Sequence, residues 1–184
     1  MSRLLFDHLG GAITSFDERL LRAARTRWHS PGAERAVARF SRLGEHGRLW
    51  LAVGAIGQIV DRPRRCEWRR ATRTVVCAYV ANTAIKLLVR RRRPSLADLP
   101  ALTGTPTALS FPSAHAATSF AGATSYSRLG LPAVPLYALA ASLSASRLYL
   151  GVHHPSDVLA GAMLGTAVGR RFGAAADAPA REPL

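Results

Sequence analysis

Residues 74–93 read TVVCAYVANTAIKLLVRRRR, an apolar stretch that Lys86 interrupts and four arginines close. A helix needs about 20 mostly apolar residues to span a membrane. Several other stretches of the chain also carry few charged residues and are bounded by arginines or histidines. The pattern predicts an all-α fold, a polytopic membrane helical bundle of about five membrane helices whose ends carry polar groups. The predicted helices cover residues 45–61, 71–89, 113–128, 131–149 and 155–171.

The composition of the whole chain narrows the class of protein. Its 184 residues carry a formal net charge of +14, yet 48% of them are apolar. These values exclude an acidic disordered chain and leave a nucleic-acid-binding protein or a small membrane protein with charged loops. Uncharged stretches separate the arginine clusters and only 7% of residues are aromatic, which disfavours a nucleic-acid groove. We therefore expect the bilayer and no nucleic acid as a partner, and a multi-pass location in the cell membrane.

The two ends of the chain differ from this pattern. Residues 1–44 mix arginines with acidic residues, and apolar positions 20, 21, 24 and 28 recur at helical spacing, which predicts an amphipathic interfacial segment or a packed surface helix. Asp7 interrupts the first apolar residues, so no cleaved signal peptide is expected. Residues 173–184 are rich in alanine and proline, which predicts a disordered tail. We expect a single membrane domain over residues 1–172, with its helical bundle over 45–172.

The positions of small and aromatic residues also indicate helices that pack against one another in a lipid bilayer. Gly161, Gly165 and Gly169 recur every four residues, a spacing that lets helix backbones approach closely. Aromatic residues near the ends of predicted helices indicate an interfacial belt. The members of this belt are Trp28, Trp50, Trp68, Tyr126 and Tyr149.

Polar side chains lie where the predicted helices of the bundle begin or end. In an up-and-down bundle, the end of one helix and the start of the next share a face, so these side chains are expected to converge at one membrane surface. Snorkelling explains a single arginine there, but not two histidines and a carboxylate beside three cations. Arg90, Arg91 and Arg92 are interpreted as a charge cluster that ends a membrane helix. The converging residues are Lys86, Arg93, Ser113, His115, Arg147, His153 and Asp157.

This set of side chains suits phosphoryl transfer. Three cations and a hydroxyl can bind phosphate oxygens, over which the transition state spreads its charge. The free N–H groups of a helix that begins at residues 113–115 can bind the same group. Asp157 follows His153 by one helical turn and can hold one imidazole nitrogen, which leaves the other nucleophilic. His115, on another helix, can protonate a leaving alkoxide.

A zinc site is the competing interpretation of the histidines. His115, His153 and His154 could supply ligands, but adjacent histidines point in different directions and no acidic cluster accompanies them. Cys66 and Cys77 form neither a CxxC pair nor a zinc pattern. We therefore expect a metal-free site that needs no cofactor.

Three blocks of residues with a defined order and spacing contain the converging side chains. They are Lys86-x6-Arg93-Pro94, Pro112-Ser113-Ala114-His115 and Ser146-Arg147-x5-His153-x3-Asp157. In order and internal spacing, the blocks resemble the signature motifs of the type 2 phosphatidic acid phosphatase (lipid phosphate phosphatase) superfamily. One departure is Ala114, which stands where the second motif usually has glycine and is less tolerant of a positive φ.

The resemblance implies a role for each matching residue. His153 is expected to be the nucleophile that forms a phosphohistidine, Asp157 to orient it, and His115 to protonate the leaving group. The resemblance also implies an integral-membrane enzyme that hydrolyses lipid phosphates without a metal. The residues expected to bind the phosphate are Lys86, Arg93, Ser113, Ala114 and Arg147.

A second resemblance, to one branch of this family, leads to an expected substrate. Residues 42–46, RLGEH, and 111–116, FPSAHA, resemble an actinobacterial branch linked with dephosphorylation of decaprenylphosphoryl-5-phosphoribose, a step towards the arabinose donor of the cell wall. Undecaprenyl diphosphate, phosphatidylglycerophosphate and phosphatidic acid remain alternative substrates. Glu45 and His46 are interpreted as interfacial structure. A non-catalytic membrane adaptor would be expected to have lost His115, His153 or Asp157, and all three are present.

Overall fold

The computed structural model describes residues 2–173, with side chains from residue 14 onward. This part of the chain is helical and contains no β-strand, only two isolated bridges within residues 92–109. The predicted all-α fold is therefore confirmed, whereas residues 174–184 of the predicted tail lie outside the described residues. The helices are α1 (Ser2–Thr26), α2 (Pro31–Arg42), α3 (Arg48–Val60), α4 (Arg65–Val89), α5 (Ala114–Ser127), α6 (Ala133–Tyr149) and α7 (Pro155–Phe172).

Each predicted helix of the bundle has a counterpart, although the ends differ. α4 begins at Arg65 and is longer than predicted. It ends at Val89, and the next residue, Arg90, has a left-handed φ of 54°, so Arg93 lies in the connection to α5 and does not close the helix. Across residues 2–173, no helix combines the length and the apolarity that a membrane crossing requires. The number of membrane spans therefore stays a prediction.

The largest aromatic side chains form the core of the bundle and not an interfacial belt. Trp50 of α3, Trp68 of α4 and Tyr126 of α5 are buried together. The Tyr126 hydroxyl donates to the Trp50 carbonyl oxygen at 2.7 Å, and the Trp50 indole donates to the Ser119 hydroxyl at 3.0 Å. The predicted belt is therefore wrong for these three residues, because their polar atoms find partners inside the protein. Of the others, Trp28 is exposed and Tyr149 is half-buried.

Close packing of α5 against α7 depends on the glycines that recur along α7. Gly161 and Gly165 face the backbone of α5, where an added Cβ would overlap the carbonyl oxygens of Ser113 and Ala117. Gly169 faces Thr124 of the same helix. The predicted close approach along this stripe is confirmed, and it holds the start of α7 beside the start of α5.

We expect Gly165→Ala to destabilise the fold by about 1–3 kcal/mol, because backbone atoms of α5 must move away from the new methyl group. For a chain of this size, the midpoint of thermal unfolding should fall by at least about 3 °C. Gly32→Ala is the matched control, since nothing lies within 4 Å of its Cβ position on α2. Alanine has the higher helix propensity, so this control should keep or raise the midpoint. Equal midpoints for both variants would contradict the packing argument.

The two N-terminal helices pack against the bundle. On α1, Leu21 is buried, and Arg25 donates to the carbonyl oxygens of Tyr149 and Pro100 at 3.1 and 2.6 Å. Ser41 in the last turn of α2 is 1% exposed. The apolar positions 20, 21 and 24 of the predicted amphipathic stripe lie on α1, whereas Trp28 follows the end of that helix at Thr26. Only part of the stripe is covered, since Leu20 remains 44% exposed. Both helices therefore reach the region where the site lies.

Candidate active site

A cavity of about 380 Å³ lies where the ends of α4, α5 and α6 meet the connections that follow α4 and α6. It contains six of the eight residues predicted for the site: Lys86, Arg93, Ala114, His115, Arg147 and His153. The other two, Ser113 and Asp157, lie outside the lining and are fully buried. The backbone N–H of Ser113 donates to the Asp157 carbonyl oxygen at 2.9 Å, which ties the start of α5 to the start of α7.

The contacts of His153 define which of its nitrogens carries the hydrogen. The Nη1 of Arg93 lies 3.1 Å from His153 Nε2. Because a guanidinium can only donate, Nε2 must be the acceptor and its hydrogen must be on Nδ1. Nδ1 faces Asp157 Oδ2 at 3.5 Å. The neutral ring therefore presents a lone pair on Nε2, the nitrogen directed towards the cation that lines the cavity.

Burial also keeps His153 neutral. The side chain is 4% exposed. Loss of hydration lowers the pKa of His153 to about 4, and this effect outweighs the interaction of the Nδ1–H with the Asp157 carboxylate, which raises the pKa. The charges of Arg93 and Arg147 lower the pKa further. The imidazole is thus unprotonated at neutral pH, the form that a nucleophile needs.

Lys86 connects α4 to the loop that precedes α5. Its ammonium group donates to the carbonyl oxygens of Leu109, Ser110 and Pro112 at 3.2, 3.0 and 3.0 Å. The single lysine of the chain therefore has a specific position: it shapes the loop and adds a positive charge to the wall of the cavity.

Two arginines supply the other positive charges of the cavity. Arg93 donates to the carbonyl oxygens of Thr107 and Val152 at 2.8 and 2.6 Å, which orients it beside His153. Arg147 is 5% exposed and donates to the Ser41 hydroxyl at 2.7 Å. Its Nε is buried without a hydrogen-bond partner among the described residues. A buried guanidinium with donors left over in a cavity can bind an anion.

His115 is enclosed by a segment that the predicted site did not include. The carbonyl oxygen of Ser41, at the end of α2, lies 3.0 Å from His115 Nε2. A carbonyl can only accept, so Nε2 carries a hydrogen and Nδ1 binds the second proton when the ring is charged. Gly44 lies so close that a Cβ there would be 2.7 Å from the ring. The only sequence signal for this contact was the likeness carried by residues 42–46.

The same segment also supplies part of the cavity wall. Glu45 and His46, interpreted as interfacial structure, line the cavity. His46 adopts a left-handed φ of 52°, and its Nδ1 lies 2.9 Å from the Tyr79 hydroxyl. Ala114 is the first residue of α5 and is not among the residues with positive φ. Its replacement of the usual glycine therefore requires no unusual backbone conformation.

Arg91 is not a surface charge that simply ends a helix. It donates to Asp157 Oδ1 at 2.8 Å and to Asp17 Oδ2 of α1 at 2.7 Å. The interpretation of Arg90, Arg91 and Arg92 as one charge cluster is therefore wrong for Arg91. Nothing in a run of four arginines distinguishes the second, because its partners come from α1 and α7.

The donors for a metal ion are not clustered. Among the side chains that the structure describes, no group of three histidine, cysteine, aspartate or glutamate residues could hold a metal. His115 and His153 both line the cavity, whereas His154, the third ligand of the zinc interpretation, is outside the lining. The charged and basic side chains of the cavity are instead three cations, Glu45 and three imidazoles, and this arrangement can bind a phosphoryl group and transfer it to nitrogen.

Comparison with known proteins agrees with this chemistry. A family model described as PAP2 superfamily matches residues 70–175, which include α5, α6, α7 and most of α4. Curated relatives carry the name decaprenylphosphoryl-5-phosphoribose phosphatase. The relative from Mycolicibacterium smegmatis is 40% identical over 132 residues, 71% of this chain and 72% of that protein. The relative from Mycobacterium tuberculosis is 41% identical over 140 residues, 76% of this chain and 78% of that protein.

Two solved structures share the fold. The crystal structure of Aquifex aeolicus LpxE has a TM-score of 0.70 and 26% identity, and the match covers 83% of this chain and 91% of that one. The crystal structure described as the first transmembrane PAP2 type phosphatidylglycerolphosphate phosphatase, from Bacillus subtilis, has a TM-score of 0.73 and 23% identity. That match covers 86% of this chain and 83% of the other.

Proposed function

Because the chain belongs to the PAP2 superfamily and is a phosphatase of lipid phosphates, we propose that it hydrolyses decaprenylphosphoryl-5-phosphoribose or a closely similar polyprenyl-linked phosphate. One observation carries the proposal. Three cations and three imidazoles line a single cavity, on a chain 40–41% identical to phosphatases that carry this name. The lining of the cavity also includes the polar residues Glu45, Thr105 and Thr107, which suit a substrate with hydroxyl groups.

A membrane location is part of the proposal. Large apolar side chains on α3, α4 and α7 remain exposed, which a soluble monomer rarely tolerates over a wide area. Examples are Ile59 at 64%, Leu88 at 82% and Met163 at 66% exposure. A bilayer would cover these side chains and would also hold the lipid tail of the substrate beside the cavity.

The first step is phosphoryl transfer to His153. Its Nε2 lone pair attacks phosphorus, the bond from phosphorus to the ester oxygen breaks, and the ring becomes a phosphohistidine. Positive charge develops on the imidazole, and Asp157 balances it at Nδ1. Lys86, Arg93 and Arg147 offset the negative charge on the phosphoryl oxygens. The backbone of Ala114, at the start of α5, adds the N-terminal end of a helix.

The second step returns the enzyme to its starting state. In the first step His115, charged by a second proton on Nδ1, gives that proton to the leaving alkoxide, and in the second step the neutral ring accepts a proton from the water that attacks phosphorus. The bond from phosphorus to Nε2 breaks, and inorganic phosphate leaves. The carbonyl oxygen of Ser41 keeps the His115 ring in one orientation throughout.

The substrate proposal is tested by phosphate release from purified protein in detergent. The panel contains a polyprenylphosphoryl-5-phosphoribose, undecaprenyl diphosphate, phosphatidylglycerophosphate and phosphatidic acid. We expect the highest kcat/KM for the phosphoribose lipid. A preference for another lipid would replace the proposed substrate, and similar slow release from all four would indicate a general lipid phosphatase. Failure to release phosphate from any of them would overturn the proposed activity.

We expect the activity to persist after removal of metal ions, because the cations of Lys86, Arg93 and Arg147 replace the charge that a metal would supply. The measurement is phosphate release after exhaustive dialysis against EDTA, compared with the untreated protein. The two rates should agree within about twofold. Loss of activity that a divalent ion restores would contradict this expectation.

A further inference from the structure

The N-terminal helix α1 reaches the carboxylate that faces His153. Asp17 of α1 is fully buried. Its Oδ1 accepts a hydrogen bond from the Ser156 backbone N–H at 2.8 Å, and its Oδ2 accepts from the Ser156 hydroxyl and, at 2.7 Å, from Arg91. Asp17 lies outside residues 70–175, the part of the chain that the family model matches.

Arg91 joins the two carboxylates. Its Nη1 donates to Asp157 Oδ1 at 2.8 Å and to the Ser156 hydroxyl at 2.7 Å, while its Nη2 donates to Asp17. The other oxygen of Asp157, Oδ2, accepts from the His154 backbone N–H at 2.8 Å and faces His153 Nδ1. Both oxygens of Asp157 are therefore held, and the carboxylate cannot turn away from His153.

The cluster of Asp17, Arg91 and Asp157 is negatively charged overall. Two carboxylates and one guanidinium leave one net negative charge beside His153, where positive charge develops during phosphoryl transfer. If Asp17 were neutral, Asp157 alone would balance Arg91, and the net charge of this cluster would be zero. A buried pair with one partner removed also leaves an uncompensated charge, so each member affects the others strongly.

We propose that Asp17 and Arg91 are positioning residues, which hold Asp157 in place and keep its negative charge available to His153. The inference rests on the proposed function. α1 is then part of the catalytic machinery, and not only a helix on the membrane surface. Asp17 acts through Arg91, and Arg91 acts through Asp157.

The test measures kcat and KM for Asp17→Asn on the lipid that the wild-type protein hydrolyses best. We expect kcat to fall about 10-fold while KM stays within about twofold, because the substrate does not touch Asp17. Arg91→Gln should lower kcat at least as much, and Arg91→Lys, which keeps the charge, should recover part of the loss. The double variant Asp17→Asn/Arg91→Gln should be no slower than Arg91→Gln alone, since residues that act in one chain are not additive.

Asp98→Asn is the matched control, because it tests whether weaker attachment of α1 to the rest of the protein is enough to lower kcat. It removes the exposed ion pair of Arg22 with Asp98, which ties the same helix to the connection before α5 at 2.7 Å. We expect kcat of this control to equal that of the wild type. A similar loss of kcat in the control would mean that Asp17 only anchors α1, and the inference would be wrong.

Two further results would overturn the inference. One is an Asp17→Asn variant with wild-type kcat, and the other is a loss that appears in KM instead of kcat. If Asp17→Asn does not fold, the double variant Asp17→Asn/Arg91→Gln is measured instead, because it removes both charges of the pair. A kcat of this double variant equal to that of the wild type would contradict the inference. Inactivity of the wild-type protein on every lipid would overturn the proposed function itself, which distinguishes the two failures.

Discussion

Replacing His153 with alanine is expected to lower the rate of phosphate release by about 10⁴-fold or more, because no other lone pair in the cavity is held towards phosphorus in the same way. The contact between Arg93 and His153 is the structural reason for this expectation. Its guanidinium lies 3.1 Å from His153 Nε2, so the lone pair must be on that nitrogen. In the absence of substrate the two side chains contact each other directly, and a bound phosphoryl group would lie between them.

The measurement combines steady-state turnover with trapping of the intermediate. Rapid quenching in alkali should preserve a phosphoryl group on the wild-type protein that is later lost in acid, and the alanine variant should carry none. His29→Ala is the matched control: the His29 ring stacks on Tyr149 with 4.0 Å between the ring centroids and is not part of the cavity lining. This control should keep most of the activity. Turnover by His153→Ala above about 1% of wild type would remove it as the nucleophile.

Replacing His115 with alanine is expected to have a large effect that depends on the leaving group. For a lipid phosphate, whose alkoxide needs a proton, the rate should fall by about 10²–10⁴-fold. For an aryl phosphate, whose phenolate is stable without a proton, the loss should be within about 10-fold. His115 lies beside the site and donates to Ser41, so its removal leaves His153 and the three cations in place.

Comparison of the two histidine variants on both substrates separates their roles. His153→Ala should be inactive with lipid and aryl phosphates alike, because the nucleophile is needed for both. His115→Ala should recover only with the aryl phosphate. An equal loss on both substrates for His115→Ala would mean that this ring binds the phosphate and does not transfer a proton.

Packing against other parts of the chain explains where the sequence-based interpretation failed. Trp50 and Trp68 lie near the ends of predicted helices, where aromatic residues commonly contact a membrane interface. Their indole N–H groups instead donate to Ser119 and Asp61, and both rings are buried. A tryptophan near a helix end satisfies its one donor equally well at an interface or in a core. Only the position of the neighbouring helix decides between the two.

The sequence by itself determined the helical class of the fold and six of the residues that line the cavity. His153 lies two residues before α7 begins and Asp157 is in its first turn, while Arg147 lies in the last turn of α6. These relations depend on helix periodicity and on short connections, which the order of residues along the chain specifies directly. The glycine stripe of α7 is predictable for the same reason, because residues four apart lie on one helix face.

The tertiary structure alone decided which residues hold the site in place. Asp17 and Ser156 are 139 positions apart, and Ser41 and Arg147 are 106 positions apart, yet each pair is joined by a hydrogen bond. Arg90, Arg91 and Arg92 look alike in the sequence, but only Arg91 contacts both Asp17 and Asp157. Such contacts arise from how α1 and α2 pack against the bundle, and no local pattern of residues specifies that packing, because its energy is shared among side chains far apart in the chain.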